Sequence, residues 1–339
     1  MSRRPAILAV DGGGSKMDAV LLRRDGTVLG AARIPVGYPG VSGGEAHMTQ
    51  VVDAVVAACA DASVSLERFP IADLGVYCLA GADLPVDDRR IAGWLRSRRL
   101  TAKDIVRNDT FAVLRAGTDR TWGVGVVCGY GTNCSGVSPD GRIVRFPAVG
   151  PISGDWGGGA EVGGAGLWHA IRDEDGRGGR TTLRRLVPEH FGLKRPKHVL
   201  EALYLGRIDD ARIAELAPVV FWAATEGDEI ARSIVDQQAD EVVTLAGTAI
   251  KRLRMTALDV DVVLGGGIFR NHDGAFFARI DEGLRAVAPA ARTNVLTEPP
   301  VLGAALMGLD RLGAGPAAHR RLRRSLTHDR LTAHTHPRR

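Results

Sequence analysis

The chain has 339 residues, 45% of them hydrophobic, with a formal net charge of +5; at roughly 100 to 200 residues per domain, this length predicts two domains with separate cores. No run of about 18 apolar residues occurs and no signal-peptide segment opens the chain, so we expect a cytoplasmic protein with no membrane partner. The four cysteines lack the spacing of metal ligands, and we expect reduced thiols at Cys59, Cys78, Cys128 and Cys134.

The positive charge is concentrated at the C-terminus. Seven arginines and one acidic residue between 316 and 339 give this segment a net charge of +6, so the preceding 315 residues are close to neutral. A basic chain end of this kind is typical of a solvated extension. We therefore expect a flexible tail over 316–339 and no nucleic-acid partner.

The first motif is Asp11-Gly-Gly-Gly-Ser-Lys16. The apolar runs at 6–10 and 19–22 predict two strands, so the motif lies in a β-hairpin and matches neither a P-loop nor a dinucleotide fingerprint. In such a turn, backbone N–H groups can bind phosphate oxygens, and Asp11 can hold Mg²⁺ directly or through water. A glycine-rich hairpin without a ligand is the alternative.

The following segment predicts an alternation of strands and helices. We expect a strand at 26–34, a loop at 35–44, a helix at 45–62, a strand at 72–80, a helix at 86–99, a strand at 103–109 and a helix at 110–117. Asp109 thus lies where a strand ends and a helix begins. Open α/β sheets carry catalytic groups at this place, and a plain helix N-cap is the alternative.

At Trp122 the pattern begins again. A strand at 123–128 leads into the glycine turn 129–136, and Asp140-Gly141 favours a second tight hairpin. This internal echo predicts a duplicated domain, with paired turns that hold successive phosphates of one nucleotide across a cleft. We place the domains at 1–118 and 119–315.

The second half contains two more glycine-rich stretches. In the first, from 148 to 166, Asp155 and Glu161 are candidates for hydrogen bonds to hydroxyl groups, and a linker without function is the alternative. The second is a turn at 265–267, where small residues would let an adenine ring lie against the backbone. Around them we expect helices at 166–172, 181–191, 196–205, 210–226, 228–254, 274–286 and 301–309, and strands at 259–264 and 292–296.

Together, the three glycine motifs and Asp109 resemble those of the N-acetylglucosamine kinase family. This is a BadF/BadG/BcrA/BcrD-type ATPase branch of the superfamily that also holds actin and the heat-shock chaperones. The resemblance covers residues 7–309 and implies an α/β, duplicated actin-like (ribonuclease H-like) ATPase fold, with two domains around a central nucleotide cleft. It also implies ATP and Mg²⁺ as cofactors, an amino sugar as substrate and a homodimer.

By the same resemblance, Asp109 is the catalytic base and Asp11 the metal ligand. Nucleotide contacts are implied for Gly12, Gly13, Gly14, Ser15, Lys16, Gly129, Gly131, Thr132, Asn133, Gly265, Gly266, Gly267 and Asn271. Sugar contacts are implied for Gly81, Asn108, Asp109, Thr132, Gly154 and Asp155.

The expected reaction is transfer of phosphate from ATP to the 6-hydroxyl group of N-acetylglucosamine. Two departures from the family leave glucosamine or another hexosamine open as the acceptor. Trp156 stands where the family's Gly-Asp-Glu-Gly pattern has its glutamate, and the loop 35–44 lacks the family's asparagine. Alternatives of another class are an ATPase that activates a reductase or dehydratase, and a sugar sensor without turnover.

Overall fold

The structure is a computed structural model that describes residues 4–36, 45–67 and 69–332. Most of the predicted loop at 35–44 and residues 333–339 of the predicted tail lie outside the described residues. The described chain divides into two compact units. The first comprises Met1–Gly125, Ser135–Pro147 and Asn294–Arg339, and the second comprises Val126–Cys134 and Ala148–Thr293.

The first unit is built on a five-stranded sheet in the order β3-β2-β1-β4-β5. Strand β1 pairs antiparallel with β2 and parallel with β4, and β4 pairs parallel with β5. The strands are β1 (Ile7–Gly12), β2 (Lys16–Leu22), β3 (Val28–Pro35), β4 (Ala72–Leu79) and β5 (Thr101–Arg107). The helices of the unit are α1 (Glu45–Asp61), α2 (Pro85–Arg98), α3 (Asp109–Gly117), α10 (Val301–Arg311), α11 (Pro316–Ser325) and α12 (His328–Thr332).

Both faces of this sheet are covered, which explains why its strands are nearly continuous apolar runs. Leu8 and Val10 point to a core shared with α1, whereas Ile7 and Ala9 point to a second core shared with α3, α10 and α11. This alternation follows from the two-residue period of a strand. The carboxyl ends of the parallel strands β1, β4 and β5 consequently meet at one edge of the sheet.

A second sheet has the strand order β10-β9-β6-β7-β8. Its strands are β6 (Gly123–Cys128), β7 (Thr132–Val137), β8 (Ile143–Arg145), β9 (Asp261–Gly265) and β10 (Arg292–Val295). The helices of the second unit are α4 (Gly158–Glu174), α5 (Leu183–His190), α6 (Pro196–Tyr204), α7 (Ala217–Thr225), α8 (Glu229–Arg252) and α9 (Gly274–Val287), with short 3-10 turns at Pro151–Ser153, Asp210–Leu216 and Ile268–Arg270.

The two sheets repeat one connectivity. In each, the first strand of the repeat is central, the second and third follow on one side, and the fourth and fifth follow on the other. The predicted duplication is therefore confirmed at the level of strand order. Within the described part of the chain, no helix is long and apolar enough to cross a bilayer.

The prediction of a flexible tail is wrong for residues 316–332. Helices α11 and α12 bury Ala318, Leu322, Leu326 and Leu331 in the core that also contains Ile7. Ala318, Leu322 and Leu326 recur at intervals of four residues and so form one apolar side of the helix, although arginines lie between them in the sequence. Arg323 donates hydrogen bonds to the carbonyl oxygens of Ala116 and Thr118, both at 2.7 Å, so part of the basic charge caps the C-terminus of α3.

Two further differences concern the second half of the chain. Helix α4 begins at Gly158, eight residues before the predicted start at 166. Its glycines allow close packing, since a Cβ at Gly163 would lie 2.1 Å from the carbonyl oxygen of Ile213. The units also differ from the predicted division at 118/119 and 315/316, since the chain re-enters the first unit at Ser135 and again at Asn294.

Candidate functional site

The first glycine motif forms the tight turn between β1 and β2. The backbone N–H of Gly13 donates to the carbonyl oxygen of Lys16 at 3.1 Å, so Gly14 and Ser15 form the tip. Gly12 has a packing role, because a Cβ there would lie 2.8 Å from Leu79 Cδ2. The predicted hairpin is confirmed, and it places Asp11 at the end of β1.

Asp11 begins a row of charged residues across three strands. Asp11 lies opposite Asp18 in the β1–β2 register, and Asp18 lies opposite Arg33 in the β2–β3 register. Arg33 binds Asp18 with two parallel hydrogen bonds, Nε to Oδ1 at 2.6 Å and Nη2 to Oδ2 at 2.7 Å, and Lys16 Nζ lies 3.8 Å from Asp18 Oδ2. Asp18 is fully buried, and Arg33 and Lys16 are the cations that pair with it.

Asp11 lacks such a direct partner among its neighbours in the row, and its surroundings favour the neutral form. Burial raises the pKa of Asp11 well above its ordinary value, and the negative charges of Asp18 and Asp109 raise it further, against the opposing effect of Lys16 and Arg33. A surplus of buried negative charge is what a bound cation would offset. Asp11 therefore fits a metal ligand.

The donor set further restricts the kind of metal site. Among the described residues, no group of three or more His, Cys, Asp or Glu side chains converges as a metal cage. Mg²⁺ usually binds through one or two carboxylates and completes its shell with water and substrate phosphates. Asp11 beside a glycine turn suits that mode of binding.

The N-cap of α3 is Asn108, not Asp109. Asn108 Oδ1 accepts from the backbone N–H of Thr110 at 3.0 Å and from Thr110 Oγ1 at 2.7 Å, and Asn108 Nδ2 donates to Asp83 Oδ1 at 2.9 Å. The interpretation of Asp109 as a plain cap is therefore wrong. Asn108 itself is 2% exposed and fixes the start of the helix. The family resemblance implies instead that this side chain contacts the sugar.

Asp109 is the first residue of α3 and is partly buried. Burial raises the pKa of Asp109 to about 6, and hydrogen bonds from the backbone N–H groups of Thr110 and of Asp109 itself offset only part of this effect. Such a carboxyl group is mostly ionised at neutral pH and still a better base than an ordinary aspartate.

Asp11 and Asp109 belong to one edge of the first sheet. The register pairs Asp11 with Cys78 of β4 and Cys78 with Arg107 of β5, so Asp11 and Asp109 lie at the same edge, at the ends of two strands that β4 separates. Gly81 lies just beyond β4 with φ of 82°, where the chain turns away from the sheet. The first unit thus brings together Asp11, Lys16, Gly81, Asn108 and Asp109.

The second unit brings three glycine-rich segments together. The turn after β6 packs on the start of α4, where the backbone N–H of Gly159 donates to the carbonyl oxygen of Gly129 at 2.8 Å. The turn after β9 approaches the end of β6, since a Cβ at Gly266 would lie 2.3 Å from the carbonyl oxygen of Cys128. Gly266 has φ of 107°, which an alanine rarely adopts.

Gln238 of α8 holds this arrangement, and sequence reasoning missed it. Its Oε1 accepts from the backbone N–H of Gly158 at 2.7 Å, and the side chain is fully buried. The sequence does contain a signal for Gln238: it is a polar residue among Val235, Ala239 and Val242 on the buried side of the helix.

Open space adjoins the second and third turns. A Cβ added at Gly129, Gly131 or Gly267 would meet no atom of the described residues within 4 Å. Thr132 donates to Cys128 Sγ at 3.2 Å and is 7% exposed, whereas Asn133 Oδ1 accepts from the N–H of Cys134 at 2.7 Å. These turns leave backbone accessible for close approach of a ligand.

The side chain of Asn271 forms hydrogen bonds within its own turn, whereas the family resemblance implies a contact with the nucleotide. Its Nδ2 donates to the carbonyl oxygen of Ile268 at 2.6 Å, and its Oδ1 accepts from the N–H of Asp273 at 2.8 Å. The side chain therefore shapes the segment that follows Gly265, Gly266 and Gly267.

Asp155 closes the loop before α4. It accepts hydrogen bonds from the N–H of Gly150 at 2.9 Å and from Ser153 Oγ, and Gly154 beside it has φ of 82°. Burial, and to a lesser extent the charge of Asp155, raise the pKa of Glu161. Glu161 Oε2 is buried without a hydrogen-bond partner among the described residues.

Comparison with known proteins identifies the family. The sequence pattern of the BadF/BadG/BcrA/BcrD ATPase family matches residues 8–308. This chain belongs to that family. The match ends before α11, so α11 and α12 lie outside the matched residues.

Two relatives have sequences similar to this chain over most of its length. An N-acetylmuramic acid/N-acetylglucosamine kinase from Clostridium acetobutylicum is 27% identical over 267 residues, which cover 78% of this chain and 86% of the relative. An N-acetyl-D-glucosamine kinase from Dictyostelium discoideum is 26% identical over 318 residues, which cover 89% and 97%.

Solved structures support the same fold. A candidate N-acetylglucosamine kinase from Chromobacterium violaceum has a TM-score of 0.70 at 23% identity and covers 90% of this chain and 99% of its own. A ROK hexokinase from Thermus thermophilus has a TM-score of 0.52 at 20% identity, with 91% and 99% covered. The predicted α/β, actin-like fold is confirmed.

Proposed function

We propose that this protein is an ATP-dependent sugar kinase that phosphorylates N-acetylglucosamine at its 6-hydroxyl group, with Asp109 as the general base. The observation that carries the proposal is Asp109 itself. It lies at the same edge of the first sheet as Asp11, with β4 between their two strands, it is not the helix cap, and its pKa is raised to about 6. The family match and the names of the two relatives support the same activity.

Phosphoryl transfer requires position and charge compensation more than covalent chemistry. Asp109 would accept the proton of the attacking sugar hydroxyl, because a carboxyl group with a pKa near 6 is about nine-tenths ionised at pH 7. Lys16 would contribute positive charge beside the phosphates. Mg²⁺ bound at Asp11 would neutralise charge on the transferred phosphoryl group.

In the second unit, the backbone would serve the nucleotide. The N–H groups around Gly129, Gly131 and Thr132 would bind phosphate oxygens, and the open space beside Gly267 would accept the adenine ring. The start of α4 packs on the same turn, and a helix N-terminus favours negative charge.

Asp155 and Gly154 are proposed to contact the sugar. Hydrogen bonds from Gly150 and Ser153 orient the Asp155 carboxylate, and a carboxylate retains further acceptor sites for sugar hydroxyls. Glu161, whose buried Oε2 has no hydrogen-bond partner among the described residues, is proposed as a second acceptor.

A second acceptor, N-acetylmuramic acid, has a specific observation in its favour. The Clostridium acetobutylicum relative is named for both sugars. Trp156 in place of a glutamate also removes a negative charge, which favours an acidic sugar over a neutral one. Glucosamine and other hexosamines remain alternatives on the departures noted in the sequence.

The alternative of a reductase-activating ATPase is disfavoured by the cysteines. All four are free and buried, at 0–1% exposure. Burial raises the pKa of Cys59 to about 11 and that of Cys128 to about 12. A cluster shared between two subunits needs accessible thiolates. The homodimer and the cytoplasmic location stay predictions from the sequence.

The test is ADP release from Mg-ATP with N-acetylglucosamine, N-acetylmuramic acid, glucosamine, N-acetylmannosamine, glucose or no sugar. We expect one amino sugar to raise turnover far above the sugar-free rate, and NMR of the product to place the phosphate on the 6-oxygen. Equal hydrolysis with every sugar and with none would refute the kinase proposal and favour the activator.

A further inference from the structure

The C-terminal helix α12 contacts the charged row that ends at Asp11. His328, its first residue, lies with Nδ1 3.2 Å from Arg33 Nη1 and with Nε2 3.0 Å from the carbonyl oxygen of Thr297. Leu331 anchors the same helix because it is fully buried, and Arg330 forms an ion pair with Asp61. The helix is therefore docked on the first unit by three separate contacts.

The partners of His328 determine its tautomer. The Thr297 carbonyl oxygen can only accept a hydrogen bond, so Nε2 carries the hydrogen. Nδ1 is then the acceptor for the Arg33 N–H. Burial, Lys16 and Arg33 all lower the pKa of His328, which keeps this acceptor available at neutral pH.

Each of the three guanidinium nitrogens of Arg33 thus has a hydrogen-bond partner. Nε and Nη2 bind the two oxygens of Asp18, and Nη1 binds His328. An arginine held from both sides keeps its fork aligned with the carboxylate. Asp18, in turn, lies directly across the strand pair from Asp11. The degree to which Arg33 neutralises Asp18 therefore sets the charge beside the proposed metal ligand.

We propose that α12 is a positioning element for the magnesium–nucleotide site: His328 holds Arg33 on Asp18, and this contact orients and balances the carboxylates around Asp11. The inference rests on the proposed function, which assigns Asp11 to Mg²⁺. Helix α12 lies C-terminal to the residues that the family pattern matches. His328 touches neither substrate nor metal.

Loss of His328 should weaken binding of Mg-nucleotide without unfolding the protein. A typical intramolecular hydrogen bond contributes a net of roughly 0.5–1.5 kcal/mol, and a loss of this size in binding corresponds to a roughly two- to tenfold change in affinity. We expect His328→Ala to raise the Kd of Mg-ADP by this factor. His328→Asn, whose amide oxygen can replace Nδ1 as the acceptor, should recover most of the loss.

The matched control is Arg330→Ala. It removes a tertiary contact of the same helix, the ion pair with Asp61, but not the contact with Arg33. The experiment is isothermal titration calorimetry of wild type and the three variants with Mg-ADP and, separately, with ADP in EDTA, together with their melting temperatures. We expect only His328→Ala to lose affinity, and only when Mg²⁺ is present.

The outcomes are distinguishable. If His328→Ala and Arg330→Ala lower the melting temperature equally and leave the Kd of Mg-ADP unchanged, α12 is only a stabilising element and the inference is overturned. Equal weakening with and without Mg²⁺ would also overturn it, because the effect would then not act through the metal ligand. If wild type binds no Mg-ADP, or releases ADP independently of any sugar, the proposed function itself fails.

Discussion

Replacement of Asp109 by asparagine should change activity and stability in opposite directions. Asparagine has nearly the same shape and cannot accept a proton from a sugar hydroxyl, so kcat should fall by about 10²–10⁴-fold, the range usual for loss of a general base. The helix should remain intact, because the N-cap is supplied by Asn108. The affinity for ATP should change little.

The gain in stability follows from the raised pKa. The ordinary pKa of an aspartate is 3.8, and that of Asp109 is about 6. Because the folded protein binds the proton more tightly than the unfolded chain, ionised Asp109 destabilises the fold above about pH 4, and the cost is complete above about pH 6. At pH 7 the cost is at most about 3 kcal/mol, since a tenfold change in an equilibrium is about 1.4 kcal/mol.

Urea unfolding of the free protein at several pH values would measure this. The Asn variant should exceed wild type in free energy of unfolding at pH 7, and the difference should shrink as the pH is lowered through 6 toward 4. Asp119→Asn is the control, since that side chain is 95% exposed. A variant that keeps more than about a tenth of wild-type turnover would contradict the role of Asp109 as base. A variant that is less stable than wild type at pH 7 would contradict the electrostatic argument.

Two further predictions test the tail and the second glycine turn. Leu322→Ala should lower the free energy of unfolding by about 2–4 kcal/mol, because Leu322 is fully buried. The control, Arg320→Ala on the exposed face, should change it by less than about 0.5 kcal/mol. Equal effects of the two substitutions in chemical denaturation would mean that α11 is not packed. Gly158→Ala should raise the KM for ATP, because its Cβ would lie 2.5 Å from the Gly131 backbone at φ of 84°. The control is Gly176→Ala. Gly176 has φ of 80° and a Cβ there would meet no atom of the described residues within 4 Å, so this substitution introduces the same backbone strain without the clash. Equal KM values for ATP in the two variants would refute this explanation.

The elements of the fold were largely readable from local patterns. Strands buried on both faces are continuous apolar runs, and the repeated pattern of strand, glycine turn and Asp-Gly hairpin indicated the duplication that the strand orders confirm. Glycine misled the prediction at the start of α4. Its helical residues Gly159 and Gly163 are small because other backbone lies close to them, as at Ile213, and close approach is a property of the packed structure rather than of the local sequence.

Within the site, motif residues could be identified but not their partners. The sequence indicated Asp11 and Asp109, yet not that Asn108 is the N-cap and that the Asp109 carboxylate therefore has no capping role. Asp18 and Arg33 were missed as well, although a lone aspartate in the apolar strand after Lys16 was visible. Their pairing depends on strand register, which a linear sequence specifies only once the sheet is assembled.

The sequence by itself determined most of the strands and helices before the C-terminal segment, where the glycine turns lie and which carboxylates lie at strand ends, because these depend on neighbours along the chain. Only the tertiary structure decided that a basic C-terminal segment packs on the first unit and that His328 reaches Arg33. The physical reason is that burial and charge pairing depend on groups almost 300 residues apart, and the same arginine-rich sequence would be a solvated extension if its leucines had no core to join.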